Sequence, residues 1–162
     1  MIDRITIRAI RRMLLVALAV DVLYWVLWFA ERSWVASNAR PAYYEFENAF
    51  PLADGWLAVL CILSWVALGR LRPVAVLWLL AAGGAGIYLF GLDVLYDLEN
   101  GIYADGAGGI VEAGVNLLTL VFAVIALRWT WSHRTGLLNS RAELHRPESK
   151  KGPVLSPRVN RA

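Results

Sequence analysis

The sequence predicts an all-α membrane protein, an antiparallel four-helix transmembrane bundle with its N- and C-termini in the cytoplasm. Three observations carry this expectation. Hydrophobic residues make up 59% of the 162 residues, against about 45–50% in a water-soluble domain. They gather into four long apolar runs. No Lys or Arg occurs between Arg72 and Arg128, although the chain has 16 of them.

Residues 1–12 form a basic segment with Arg4, Arg8, Arg11 and Arg12. The first span, 13–30, is apolar apart from Asp21, and its length suits a hydrocarbon core about 30 Å thick. A basic start before an apolar run also resembles a signal peptide. This run is longer than the usual hydrophobic region of about 7–15 residues, and it carries an acid, so an uncleaved signal anchor is expected. Residues 31–51 read as a loop with a short interfacial helix, where Tyr43, Tyr44, Phe46 and Phe50 suit the headgroup region.

The second span is 50–69, with Asp54 and Gly55 near one end. The turn holding Arg70, Arg72 and Pro73 is so short that the second and third helices must be antiparallel neighbours. The third span, 74–96, contains the run Ala81–Gly86, reading AAGGAG. Small residues waste lipid contact unless another backbone approaches closely. Ala82 and Gly86 have the small-xxx-small spacing, and Gly109 and Ala113 repeat it. These four are expected at helix packing seams, within one chain or between copies. Residues 99–109 are rich in turn formers. The fourth span, 110–131, carries Glu112 and Asn116 near its start.

From Arg128 to the end, eight Lys or Arg stand against two Glu, with Pro147, Pro153 and Pro157. The expectation for 133–162 is a basic, mostly disordered cytoplasmic tail. The transmembrane domain is then 13–132.

Orientation follows the Lys and Arg of short loops. The N-terminal segment, the turn between the second and third spans, and the tail hold four, two and eight. The opposite side holds only Arg32 and Arg40. Both termini are therefore expected in the cytoplasm. Trp65, Trp78, Trp129 and Trp131 fall toward the cytoplasmic helix ends, and Trp28, Trp34 and Trp56 toward the other. Trp25 lies deeper, as a packing residue. Short loops and the lack of a transit-like leader point to a bacterial inner membrane as the cell membrane concerned.

The outward side is acidic. Glu31, Glu45, Glu47, Asp54, Asp93, Asp97, Glu99, Asp105 and Glu112 face two arginines. Asp93 and Asp97 are four residues apart, as are Glu112 and Asn116, so each pair stacks on one helix face. With Asp54, Glu45 and Glu47 they are the candidates for a carboxylate pocket that binds a ligand or cation. Carboxylates brought together favour a cation or a retained proton. The competing reading is a solvated acidic surface, which fits Glu31, Glu99 and Asp105 best. Asp21 sits alone in mid-span, where a charge costs at least about 2.5 kcal/mol. As a carboxyl that locks helix packing it has Ser64 and Thr119 as candidate hydrogen-bond partners; the alternative is a ligand counter-ion or proton-relay group.

Several functions lack support. Cys61 is the only cysteine, which excludes paired-thiol redox chemistry and fits a small buried hydrophobe. His133 and His145 both fall on the cytoplasmic side, so no imidazole zinc site is expected on the acidic face. No phosphate loop, nucleophile–base pair or nucleic-acid-binding module appears, and the sequence indicates no cofactor. The expected partners are the lipid bilayer, a second copy or another membrane protein, and anionic lipid at the basic tail. The function expected first is a non-enzymatic binding or accessory subunit with an acidic extracytoplasmic face. The second is a membrane enzyme or carrier that uses a carboxylate pocket for a lipophilic or cationic small molecule.

Overall fold

The structure, a computed structural model, describes residues 3–144, with the backbone alone from 140 onward. The described residues are all helical or turn, without strands. They form α1 (Arg4–Glu31), α2 (Pro41–Glu47), α3 (Pro51–Gly69), α4 (Ala75–Asn100) and α5 (Gly106–Leu144). Short 3-10 turns at Arg32–Trp34 and Ile102–Ala104 join them. Four segments are long and apolar enough to cross a membrane, with α2 and α3 counted in one of them.

Local signals set the helix ends. The Asp3 side chain caps α1 by accepting the Ile5 amide at 3.1 Å, which satisfies one orphan donor of the first turn. Pro41 and Pro51 open α2 and α3, where the missing N–H costs nothing. Gly101 ends α4 at φ +66°, a left-handed position that favours glycine. The turn after α3 is tight enough to hold Leu71 at φ +48°.

Packing contacts fix which helices meet. Arg11 of α1 stacks over Trp65 of α3 at 4.2 Å, and Trp25 of α1 bonds Asp54 of α3 at 3.1 Å. The N-terminal half of α1 thus lies beside the C-terminal half of α3. Gly83 and Gly86 of α4 face Leu127 and Ala123 of α5, and Asp97 of α4 meets Asn116 of α5 at 2.8 Å. Ala82, Gly83 and Gly86 are buried. Gly86, one of the small residues expected at a seam, thus approaches Ala123 of the same chain, together with Gly83. By contrast, α1 packs mainly on α3 and barely touches α5.

One apolar core joins Ile7, Ile10 and Leu14 of α1 to Leu60 and Leu68 of α3, Leu79 of α4, and Phe122 and Leu137 of α5. A second cluster of Trp28, Tyr43 and Ile102 lies at the acidic end. Around them, large apolar side chains stay exposed on every long helix, among them Val16, Phe29, Ile62, Leu77, Leu95 and Leu117. Large exposed apolar patches mark surfaces that meet a partner or a membrane. This surface suits contact with acyl chains.

Two boundaries differ from the sequence reading. Helix α5 runs on to Leu144, well past residue 131, so 133–144 is helix rather than disordered tail. No Pro interrupts this stretch, and Leu137 is buried against the core. The rest of the tail expectation, 145–162, lies outside the described residues. The aromatic loop also differs. Tyr43 and Phe50 are buried, and Phe46 stacks on Tyr96 with centroids 3.7 Å apart. These rings clamp α2 onto α1 and α4. Trp28 is fully buried and donates to Asn48 at 3.0 Å, so it is a packing residue.

Candidate functional site: an acidic cleft between α1 and α5

Because α1 and α5 scarcely meet, a cleft of about 410 Å³ remains between them, backed by α3 and α4. Its lining has two parts. Asp21 and Tyr24 of α1, Glu47 of α2, Asp54 of α3, Asp93 of α4 and Glu112 of α5 make the polar part. Val16 and Val20 of α1 with Leu118, Phe122 and Ile125 of α5 make the apolar part. Helical spacing accounts for this on α1, where Met13, Ala17, Asp21 and Tyr24 recur at intervals of three or four and share one face.

Three of the five carboxylates are held by hydrogen-bond donors from neighbouring elements. The Tyr24 hydroxyl donates to Glu47 at 3.0 Å, and the Trp25 indole N–H donates to Asp54 at 3.1 Å. Glu112 accepts from the Tyr43 hydroxyl at 3.3 Å and from the Ser37 hydroxyl. Asp93 has no hydrogen-bond donor among the described residues, although Glu47, Glu112, Asp54 and Asp97 all lie within electrostatic reach of it. No Lys, Arg or His forms an ion pair with any of these acids among the described residues. The ion pair recorded there is Arg40 with Asp105, at 3.7 Å on the surface.

Behind the cleft stands a separate polar trio. Asp97 is 2% exposed and Asn116 3% exposed. The Asn116 amide donates to Asp97 at 2.8 Å and to the Tyr103 hydroxyl at 2.9 Å. Burial, followed by the charge of Asp97, pushes the Tyr103 phenol up to about 12. It therefore remains a protonated donor toward Asp97. This trio ties the end of α4 and the turn after it to α5.

The segment from Ser37 to Asn48 covers the acidic end. Besides Ser37 and Tyr43 on Glu112, Asn38 bonds Asp105, and Arg40 donates to the Asn100 carbonyl at 2.9 Å. A Cβ on Gly108 would collide with the Ser37 backbone, so a side chain there would hold this segment away.

The sequence-derived candidates divide accordingly. Asp54, Asp93, Glu47 and Glu112 line the cleft together. Asp97 and Asn116 sit behind it and do not line it. Glu45 is exposed and lies outside the lining, because α2 turns Glu47 inward and Glu45 outward. Gly109 is buried, but a Cβ there would meet the Ile102 and Tyr103 backbone at 2.5–2.7 Å. It makes room for the turn before α5, not for another long helix. Ala113 is exposed and packs in no seam within the chain. Asp21 lines the cleft, and neither expected partner holds it. Thr119 donates to the Val115 carbonyl at 3.0 Å, and the buried Ser64 hydroxyl has no partner among the described residues. Among the donors, Tyr24 and Ser37 carry no mark in the sequence reading, and Trp25 is expected there only as a packing residue. The period shared by Tyr24 and Asp21 was the available signal.

Chemically, the cleft offers carboxylate oxygens at one end and aliphatic walls at the other. No three acidic, His or Cys groups among the described residues stand close enough to hold a metal ion. The arrangement suits a cation with an apolar body better than a bare divalent ion. No family model, curated protein or solved structure matches the chain.

Proposed function

We propose that this chain is a multi-pass protein of a bacterial inner membrane that binds a lipophilic cation in the cleft between α1 and α5. It is an antiparallel four-helix bundle with both termini cytoplasmic, and the acids face outward. It acts as a binding or accessory subunit. The distribution of Lys and Arg supports the orientation: Arg4, Arg8, Arg11, Arg12, Arg70, Arg72 and Arg128 gather at one end of the helices.

The observation that carries the reading is the cleft lining: five carboxylates with no opposing basic side chain, joined to an apolar wall. Uncompensated acids at membrane depth are costly and mark functional sites. A bound cation relieves that cost, and the apolar wall accepts the rest of the molecule.

The test is saturable binding of dodecyltrimethylammonium to the full chain in lipid nanodiscs, with dodecanol as the uncharged comparison. The wild-type chain binds the cation and not the alcohol. Asp93→Asn weakens binding by about tenfold, the loss of one close charge contact. Glu45→Gln, outside the cleft, leaves it unchanged. Equal binding by all three proteins, or equal binding of cation and alcohol, refutes the reading.

A further inference from the structure

The cleft also constrains the kind of cation. We propose that its ligand is a long-chain primary or secondary ammonium, which slides in sideways from the outer leaflet between α1 and α5. This rests on the reading of the cleft as a site for a lipophilic cation. The ammonium sits at Asp93, and the chain runs along Val16, Val20, Leu118 and Phe122 toward the basic end.

The two-part lining sets the orientation. Along α5, Glu112 precedes Phe122 and Ile125, and along α1, Met13 and Val16 precede Asp21. The polar lining of both helices therefore falls toward the same end, and so does the apolar lining. From Val111 to Ile125 the α5 wall is about 21 Å long at helical rise. That is roughly two thirds of a hydrocarbon core, long enough for an extended alkyl chain. The volume of about 410 Å³ is that of a small-molecule pocket.

The need for N–H groups comes from the hydrogen bonds. Glu47, Asp54 and Glu112 each receive protein donors, whereas Asp93 receives none among the described residues and is half-buried among these acids. Its lone pairs call for donors, and charge-assisted hydrogen bonds are the strong ones. A quaternary ammonium has no N–H to give. Its usual recognition is an aromatic cage, and of the rings in the lining Tyr24 is already packed against Trp25 and Trp28, and Phe50 against Phe46.

Sideways access follows from exposure. Val16, Val20, Leu118 and Val121 line the cleft and remain 44–67% exposed. The gap is therefore open on the flank that faces lipid. A molecule whose chain is already dissolved in the leaflet reaches it without crossing water.

The experiment is calorimetric titration of the full chain in phosphatidylcholine nanodiscs with dodecylammonium, dodecyltrimethylammonium, butylammonium and dodecanol. Dodecylammonium is expected to bind at least about tenfold more tightly than each of the others. Asp93→Asn removes most of its advantage over the trimethyl compound. Leu118→Trp, which fills the apolar part and leaves every acid in place, weakens dodecylammonium and not butylammonium. Equal or tighter binding of dodecyltrimethylammonium, still lost in Asp93→Asn, overturns the N–H requirement and leaves the lipophilic-cation site standing. Full affinity for butylammonium overturns the chain channel. Binding of either amphiphile no stronger than to empty nanodiscs defeats the site itself.

Discussion

Replacing Gly83 with Ala should loosen the contact between α4 and α5, and neighbouring glycines provide internal controls. A Cβ at Gly83 would stand 2.6 and 2.9 Å from Leu127 carbons and 3.2 Å from the Ala123 carbonyl oxygen. Comfortable carbon contacts begin at about 3.5 Å. Leu127 can rotate away, but the Ala123 backbone cannot, so the helices must part. Overpacking of this kind costs about 1–3 kcal/mol, offset by about 0.5–1 kcal/mol because Ala suits a helix better than Gly. The net loss is up to about 2.5 kcal/mol, or up to about 10 °C in Tm for a chain of this size. Gly86→Ala meets the Ala123 Cβ at 3.1 Å and otherwise makes ordinary contacts at 3.6 Å or more, so it should cost less. Gly84→Ala meets nothing within 4 Å and should be neutral or slightly stabilising. The assay is thermal unfolding of each variant in dodecylmaltoside, read by size-exclusion chromatography with fluorescence detection. Gly84→Ala falling further than Gly83→Ala would refute the α4–α5 pairing.

Three other substitutions test separate parts of the structure by the same unfolding assay. Asn116→Leu strips the buried Asp97 of an amide donor and should cost about 1–3 kcal/mol; no change in Tm would mean that Asp97 is held otherwise. Gly101→Ala forces a side chain into φ +66° and should cost about 1–2 kcal/mol, whereas Gly91→Ala, with open space around it, should not. Arg40→Gln breaks an ion pair whose side chains are 51% and 40% exposed, and should move stability by less than about 1 kcal/mol.

The sequence made some features legible because a single physical rule governs each. Length and apolarity were enough for four membrane-long helices, and the run of small residues marked the stretch where Gly83 and Gly86 approach α5. The i, i+4 relation of Asp93 with Asp97 and of Glu112 with Asn116 marked polar positions at the acidic end. What sequence periodicity could not decide was which member of each pair faces the cleft. Asp93 and Glu112 turn into it, and Asp97 and Asn116 pair behind it, an outcome set by how α4 and α5 rotate against each other. The choice of Glu47 over Glu45 is similar, since it depends on Phe46 stacking on Tyr96, a contact between residues far apart in the chain. The end of α5 was missed because falling hydropathy marks where lipid ends, and a helix continues beyond that point until something breaks it. For Asp21 the sequence leaves a packing carboxyl and a ligand counter-ion or proton relay both open, because the gap between α1 and α5 has no signature in a single sequence.

The most direct measurement is photolabelling of the full chain in nanodiscs with an alkylammonium that carries a diazirine midway along its chain, followed by mapping of the labelled residues by mass spectrometry. An occupied cleft places the label on Val16, Val20, Leu118 and Phe122, and unlabelled dodecylammonium competes it away. Label spread over outward lipid-facing residues such as Val22 and Leu77, unaffected by the competitor, would contradict the claim that the acidic cleft holds a lipophilic cation.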